Sequence, residues 1–184
     1  DGAGISRVNL IDATPIGVNV RSTVATYSGV LDELRRAFAR TEEAQSAGLK
    51  PGAFSYNTGS LRCPTCDGTG QITLDVQFLP DVDIECTECR GSRYGAQAAS
   101  ILRDGLSLPD ILAMSVDEAR VAVRGLKKAG ALLEMLSGLG LGYLTLGEAT
   151  PALSGGEAQR LKLASEMGRR QDGTLYVFDE PTIG

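Results

Sequence analysis

Four cysteines, Cys63, Cys66, Cys86 and Cys89, form two C-x2-C pairs separated by nineteen residues. Two residues between cysteines let both thiolates of a tight turn face one ion, and a second such turn completes a tetrahedron. Cys66 runs into Asp67-Gly68-Thr69-Gly70 and Cys89 into Arg90-Gly91. A glycine two residues past each pair can adopt positive φ, leaving backbone N–H groups free to face the sulfurs. Four thiolates close the coordination sphere to water, so the ion expected is a structural zinc rather than a catalytic one. The chain has no His, so the ligand set is all cysteine. The competing assignments are two disulfides, a redox C-x-x-C and an iron–sulfur cluster. Disulfides suit a secreted chain, and a redox pair would be one motif rather than two with matched glycines.

A second constellation is Leu153-Ser154-Gly155-Gly156-Glu157-Ala158-Gln159-Arg160. Ser154 and Glu157 have capping-box spacing. Ser154 thus opens a helix whose free N–H groups attract anions, and Gly155 and Gly156 let a phosphate reach the backbone. An ordinary capped helix explains Ser154 and Glu157 but not the paired glycines. The third constellation is Phe178-Asp179-Glu180-Pro181-Thr182. A hydrophobic strand ending in two acids places carboxylates at the ligand edge of a parallel sheet. There Asp179 can hold Mg²⁺, and Glu180 can orient or deprotonate an attacking water. Alone, such a pair is more often a solvated turn. Twenty-five residues after Ser154, it makes a nucleotide half-site the better reading.

The elements around these residues follow from periodicity. Residues 8–12 form a strand ended by the turn Thr14-Pro15-Ile16-Gly17. After Gly29, Leu31, Leu34 and Phe38 share one face of a helix, with Arg35, Arg36 and Arg40 mostly opposite; Gly48 and Pro51 end it. Ile72, Leu74 and Val76, then Val82 and Ile84, alternate with polar residues around Leu79-Pro80-Asp81, which predicts a hairpin between the cysteine pairs. Ser107 caps a short helix to Met114, and Ser115 with Glu118 caps an interrupted one reaching Leu136, broken by Gly138, Gly140 and Gly142. The helix opened by Ser154 is expected to be amphipathic and to reach Arg170, with Asp172-Gly173 turning the chain. Thr174–Phe178 is an apolar run typical of a buried parallel strand.

The chain has 184 residues, of which 42% are hydrophobic and 5% aromatic, enough for one aliphatic core with a small insert. A net charge of −5 excludes nucleic-acid binding by bulk electrostatics, so any DNA contact needs a local basic patch or parts outside this chain. No apolar run approaches the roughly 20 residues of a membrane span. No secretory signal opens the sequence, and four cysteines in a chain without one point to a reducing compartment, the cytoplasm by default. A start at Asp1 and an end at Gly184 lead us to expect a piece of a larger soluble protein.

The second and third constellations resemble the signature motif and Walker B strand of the ABC ATPase family. The resemblance extends further, to the second ATPase half of the UvrA family of bacterial nucleotide excision repair. Three segments carry it: 11–29 (IDATPIGVNVRSTVATYSG), 78–94 (FLPDVDIECTECRGSRY) and 139–164 (LGLGYLTLGEATPALSGGEAQRLKLA). The fold class it implies is α/β, a partial ABC-ATPase domain (P-loop NTPase-like) with a helical signature subdomain and an inserted four-cysteine zinc module containing a β-hairpin. Its expected parts are 1–51 core, 52–95 zinc insertion, 96–153 helical subdomain and 154–184 signature helix with the Walker B strand.

By the same resemblance, Ser154, Gly155, Gly156 and Glu157 belong to the nucleotide site, facing the γ-phosphate of ATP held by a partner half. Asp179 would serve Mg²⁺ and Glu180 the hydrolytic water. Implied partners are damaged duplex DNA, a UvrB-like protein and a second copy of the full-length protein. The sequence departs from the family in three ways. No G-x-x-x-x-G-K-[ST] occurs, so this chain alone is expected not to hydrolyse ATP. Ala13 stands where the family usually has Gln, which bears on hydrolysis. Val18 and Val20 replace Arg and Pro, leaving Arg21, read as structural or exposed rather than DNA-binding. In the hairpin, Asp75, Asp81, Asp83 and Glu85 would repel phosphate, and Phe78 alone could stack on a base. A repair ATPase subunit is the first reading. A UvrA-like paralogue of antibiotic resistance or DNA protection is the second, and a transporter ATPase the weakest.

Overall fold

The structure, a computed structural model, describes residues 4–17, 19–75, 82–167 and 173–179. It opens with strand β1 (Arg7–Ile11) and helices α1 (Val24–Tyr27), α2 (Val30–Phe38) and α3 (Glu42–Ser46). Strands β2 (Gln71–Leu74) and β3 (Val82–Glu85) follow, then helix α4 (Ala96–Ala99) and the short strands β4 (Leu102–Arg103) and β5 (Leu106–Ser107). Helices α5 (Leu108–Ala113), α6 (Val116–Ala122), α7 (Lys127–Leu136) and α8 (Gly155–Met167) precede strand β6 (Thr174–Phe178).

The core lies among the helices. Val30, Leu31, Leu34, Ala37 and Phe38 of α2 are buried, and their spacing makes one apolar stripe. Ala129, Leu133 and Leu136 of α7 repeat the pattern at i, i+4 and i+7, and the two helices pack together. Leu108, Ile111, Leu141, Leu146 and Leu161 complete an interior in which each side chain is fully buried. Each contributes about 1.5–3 kcal/mol by leaving water. Phe54, Tyr56, Leu61 and Tyr94, from the cysteine-bearing segment, join the same cluster, with the Phe38 and Phe54 rings 6.1 Å apart. Capping boxes at Ser107–Asp110 and Ser115–Glu118 start α5 and α6, and residues 123–126 separate α6 from α7 as the interrupted pattern predicts. Gly140, at φ 75, ends the helical run.

Four expectations need correction. The helix after Gly29 stops at Phe38, because the Thr41 hydroxyl caps a new helix by accepting from the Ala44 N–H. Thr174–Phe178 pairs in parallel with β1, Arg7 opposite Thr174 and Ile11 opposite Phe178, but it is not buried. Leu175, Val177 and Phe178 are 41–44% exposed, and Val8 and Leu10 more so. Among the described residues α8 packs on only one face of this two-stranded pair, at Asn9 and Ile11, and no layer covers the face of Val8, Leu10, Leu175 and Val177. Helix α8 is packed on most sides rather than amphipathic: it buries Gly156, Ala158, Gln159, Leu161 and Ala164, and only Met167 is exposed. Finally, the β4–β5 hairpin interrupts a stretch expected to be helical.

Candidate metal centre and signature helix

Cys63 and Cys86 are fully buried, Cys66 nearly so, and Cys89 half-buried. The Sγ atoms of Cys63 and Cys86 lie 3.9 Å apart, those of Cys66 and Cys89 3.6 Å, and all four fall within 4.8 Å of one another. A tetrahedron of thiolates at about 2.3 Å from zinc has edges of about 3.8 Å. A disulfide would need a separation of about 2.05 Å, so all four cysteines are free. The donor set and spacing therefore fit a closed four-sulfur metal site.

Two twin turns build it. Asp67, Gly68 and Gly70 on one side, and Arg90 and Gly91 on the other, take positive φ between 47° and 79°. A Cβ on Gly68 would sit 1.7 Å from the Tyr56 carbonyl, so only glycine fits. The second turn closes through Arg90 N–H donating to the Cys86 carbonyl at 2.8 Å. The Gly70 N–H donates to Cys66 Sγ at 3.3 Å, a backbone N–H facing a thiol as the glycine spacing leads one to expect. Burial pushes the Cys66 thiol up, but the Gly70 N–H and the neighbouring Cys89 and Cys63 thiols outweigh it, bringing it down to about 7. Cys89 is pushed up to about 12, by burial first and then by Cys66 and Cys86. Strands β2 and β3 pair with Ile72 opposite Ile84, and Thr73 donates to Asp83 Oδ1 at 2.7 Å. The hairpin tip, with Val76, Phe78 and Asp81, lies outside the described residues.

The centre is fastened to the segment after β1. Arg93, only 7% exposed, donates to the Val20 carbonyl at 2.9 Å and lies 5.1 Å over the Tyr56 ring. The Tyr56 hydroxyl sits 2.9 Å from Thr23 Oγ1 and donates to the Arg21 carbonyl. Arg21 grips Asp67 twice, through its carbonyl at 2.8 Å and its carboxylate at 2.9 Å, and Arg62 pairs with the other oxygen. These partners hold the Asp67 carboxyl below its usual range. Arg21 is structural, in keeping with its sequence reading.

At the other end, Ser154 and Glu157 close a capping box: the Ser154 N–H donates to Glu157 Oε2 at 2.6 Å, and the Glu157 N–H to Ser154 Oγ at 3.3 Å. The Tyr143 hydroxyl also donates to Glu157, and with Ser154 lowers its pKa. Ser154 is exposed, Gly155 half-buried and Gly156 buried. A Cβ on Gly155 would meet Ala13 Cβ and its carbonyl at 3.4 Å. Asp179 is exposed at the C-terminal end of β6, with its N–H on the Ile11 carbonyl. Glu180, Pro181 and Thr182 lie outside the described residues.

Two α8 side chains join these parts, and sequence reasoning missed both. Gln159, 5% exposed, donates from Nε2 to the carbonyls of Ile11 at 3.0 Å and Asp179 at 2.8 Å. Lys162 donates to the Asp12 carbonyl and carboxylate and to both oxygens of Thr14. Gln159 falls between the apolar Ala158 and Leu161 of a packed helix, which is the one signal that could have marked it. Thr150 ties the same region together, its hydroxyl donating to the Ile16 carbonyl at 2.8 Å and its N–H to Ser22.

No protein-family profile matches the chain. Curated relatives do: the UvrABC system protein A of Synechocystis is 46% identical over 98% of this chain, and those of Bacillus subtilis and Thermus thermophilus are 45% and 44% identical over the same share. The crystal structure of UvrA2 from Deinococcus radiodurans superposes over 99% of this chain with a TM-score of 0.90 and 43% identity, covering 22% of that chain. The chain spans about a fifth of the length of these relatives, 19% of each. In sequence and in fold, the chain belongs to the UvrA family, matching one segment of those longer proteins.

Proposed function

We propose that this chain is the part of a UvrA-type ABC ATPase that carries the zinc insertion, signature helix and Walker B strand. The whole protein would use ATP binding and hydrolysis to recognise DNA damage for nucleotide excision repair. What carries this reading is the Gln159 amide, which joins the signature helix to β1 and to the Asp179 backbone while the four-thiol centre is bolted to the next loop. In this reading zinc is held by Cys63, Cys66, Cys86 and Cys89 and supplies rigidity, not chemistry. Ser154, Gly155 and Gly156 would face the γ-phosphate of ATP held by the opposite half, with Glu157 completing the cap. Asp179 would serve Mg²⁺ and Glu180 the attacking water. The parts are then 1–51, 52–95, 96–153 and 154–184. The partners would be a UvrB-like protein and a second full-length copy, in the cytoplasm; no described helix is long and apolar enough to cross a membrane.

The residues 1–184 contain no phosphate-cradling G-x-x-x-x-G-K-[ST], so this segment by itself should release no phosphate from ATP. The test of the main reading is binding of the full-length protein to lesion-bearing and undamaged duplex, with and without ATP. Equal affinity for both under all conditions would sink it. Ala13 favours a second reading, a divergent UvrA-like paralogue that binds or protects DNA without completing excision. A methyl group stands against Gly155 where the family usually has an amide.

A further inference from the structure

The C-terminal half of α2 and the start of α7 enclose a cavity of about 350 Å³ far from the thiols and the signature residues in sequence. Arg36 lines it from α2, Arg40 from the turn after α2, and Lys127 and Lys128 from α7; Glu33 is its one acid. Arg36 already engages Glu33 at 2.6 Å. Arg40, Lys127 and Lys128 are exposed and form no ion pair among the described residues. Three unneutralised cations thus converge on one concavity in a chain whose net charge is −5. Like charges held together repel, and the arrangement is relieved by an anion with several negative oxygens at a spacing the side chains can bridge. The α7 N-terminus carries no acid in its first turn and no side-chain cap, which adds to the same field.

We infer that this cavity, formed by Arg40, Lys127 and Lys128, docks the phosphodiester backbone of duplex DNA. The inference rests on the DNA-binding reading above and names the local basic patch that a net-negative chain requires. Its contacts are to phosphate, so they add affinity without sequence or lesion preference. Each phosphate neutralised releases condensed counterions, and log K against log salt steepens by about 0.9 per contact.

The test is the salt dependence of undamaged-duplex binding by the full-length protein and by its Arg40→Ala/Lys128→Ala variant. The variant should lose about 2 from the magnitude of the slope and bind more weakly at every salt concentration, while the ratio of damaged to undamaged affinity holds. Arg40→Lys/Lys128→Arg should restore the slope, which separates charge from misfolding; a melting curve matching the unaltered protein checks the same point. An unchanged slope in the alanine variant, with the unaltered protein binding duplex, overturns the cavity alone. Failure of the unaltered protein to bind duplex at all overturns both readings. Loss of poly-glutamate binding with an unchanged duplex slope would assign the cavity to an acidic protein surface and overturn the proposal.

Discussion

The Lys162 ammonium donates to the Thr14 carbonyl at 2.8 Å and to the Thr14 hydroxyl at 2.9 Å, so α8 holds the segment that leaves β1. Asp12 takes part in the same grip, and its hydrogen bonds to Lys162 and Thr14 lower its pKa from 3.8 to about 2. A depressed carboxyl stabilises the fold above its unfolded pKa, and that contribution fades as pH falls from 3.8 through about 2. Lys162→Met should therefore destabilise the protein at neutral pH, and the gap from the unaltered protein should narrow below pH 3.8. Urea midpoints measured across pH check the sign; a gap that widens on acidification would contradict this account.

Gln159 is the buried joint between α8 and the paired strands. Gln159→Leu keeps the volume but removes the side-chain donor to the Asp179 carbonyl and one of the two donors to the Ile11 carbonyl, which keeps the Asp179 N–H. Leaving a part-buried acceptor without its donor costs about 1–3 kcal/mol. Chemical denaturation should show a loss of that size, and amide exchange should quicken along β1 and β6, including the Asp179 N–H that bonds the Ile11 carbonyl.

The metal centre was legible because its ligands repeat at fixed local spacing, and each turn is closed by its own glycines. The capping boxes at Ser107, Ser115 and Ser154 were legible for the same reason: both partners lie three residues apart. What escaped the sequence is what spans it. Arg93 bonds Val20 across seventy-three residues and Gln159 bonds Ile11 across one hundred and forty-eight. No period or spacing announces such a pair. The exposed faces of β6 escaped for a different reason. An apolar run such as Leu175–Phe178 specifies a strand that wants covering, but cannot say whether the covering layer is in the same stretch of chain.

Arg93 couples the thiol centre to the loop after β1, and Lys in its place cannot both reach Val20 and lie flat over Tyr56. Burial lowers the Arg93 pKa, the direction expected for a cation held out of water. Arg93→Lys should cost about 1–3 kcal/mol. The local signature is faster proteolysis around Asn19–Ser22 without release of metal, measured by limited digestion alongside metal content.

Metal loading is directly measurable. The purified chain should carry one zinc, with X-ray absorption fitting four sulfurs at about 2.3 Å and no nitrogen. Cys86→Ser should lower occupancy and expose the module to protease, because Cys86 is wholly buried and its N–H also anchors on the Gly70 carbonyl at 2.9 Å. Two reactive-thiol equivalents fewer than four in the metal-free denatured protein would instead indicate a disulfide and remove the zinc assignment.

Ala13 follows the Asp12 that Lys162 holds, and lies against Gly155 at the N-terminal end of α8. Any longer side chain at that position must run alongside Gly155, where the γ-phosphate of a nucleotide held by the opposite half would stand in the proposed arrangement. An amide there could contact both the metal's water shell and the attacking water, which a methyl cannot. Ala13→Gln in the full-length protein should therefore raise ATP turnover, by about tenfold if the amide removes about 1.4 kcal/mol from the barrier. Steady-state phosphate release, paired with nucleotide affinity, decides the matter. Faster turnover at unchanged affinity supports a role for this position in hydrolysis, whereas an unaltered rate in a well-folded variant means that the alanine is neutral there.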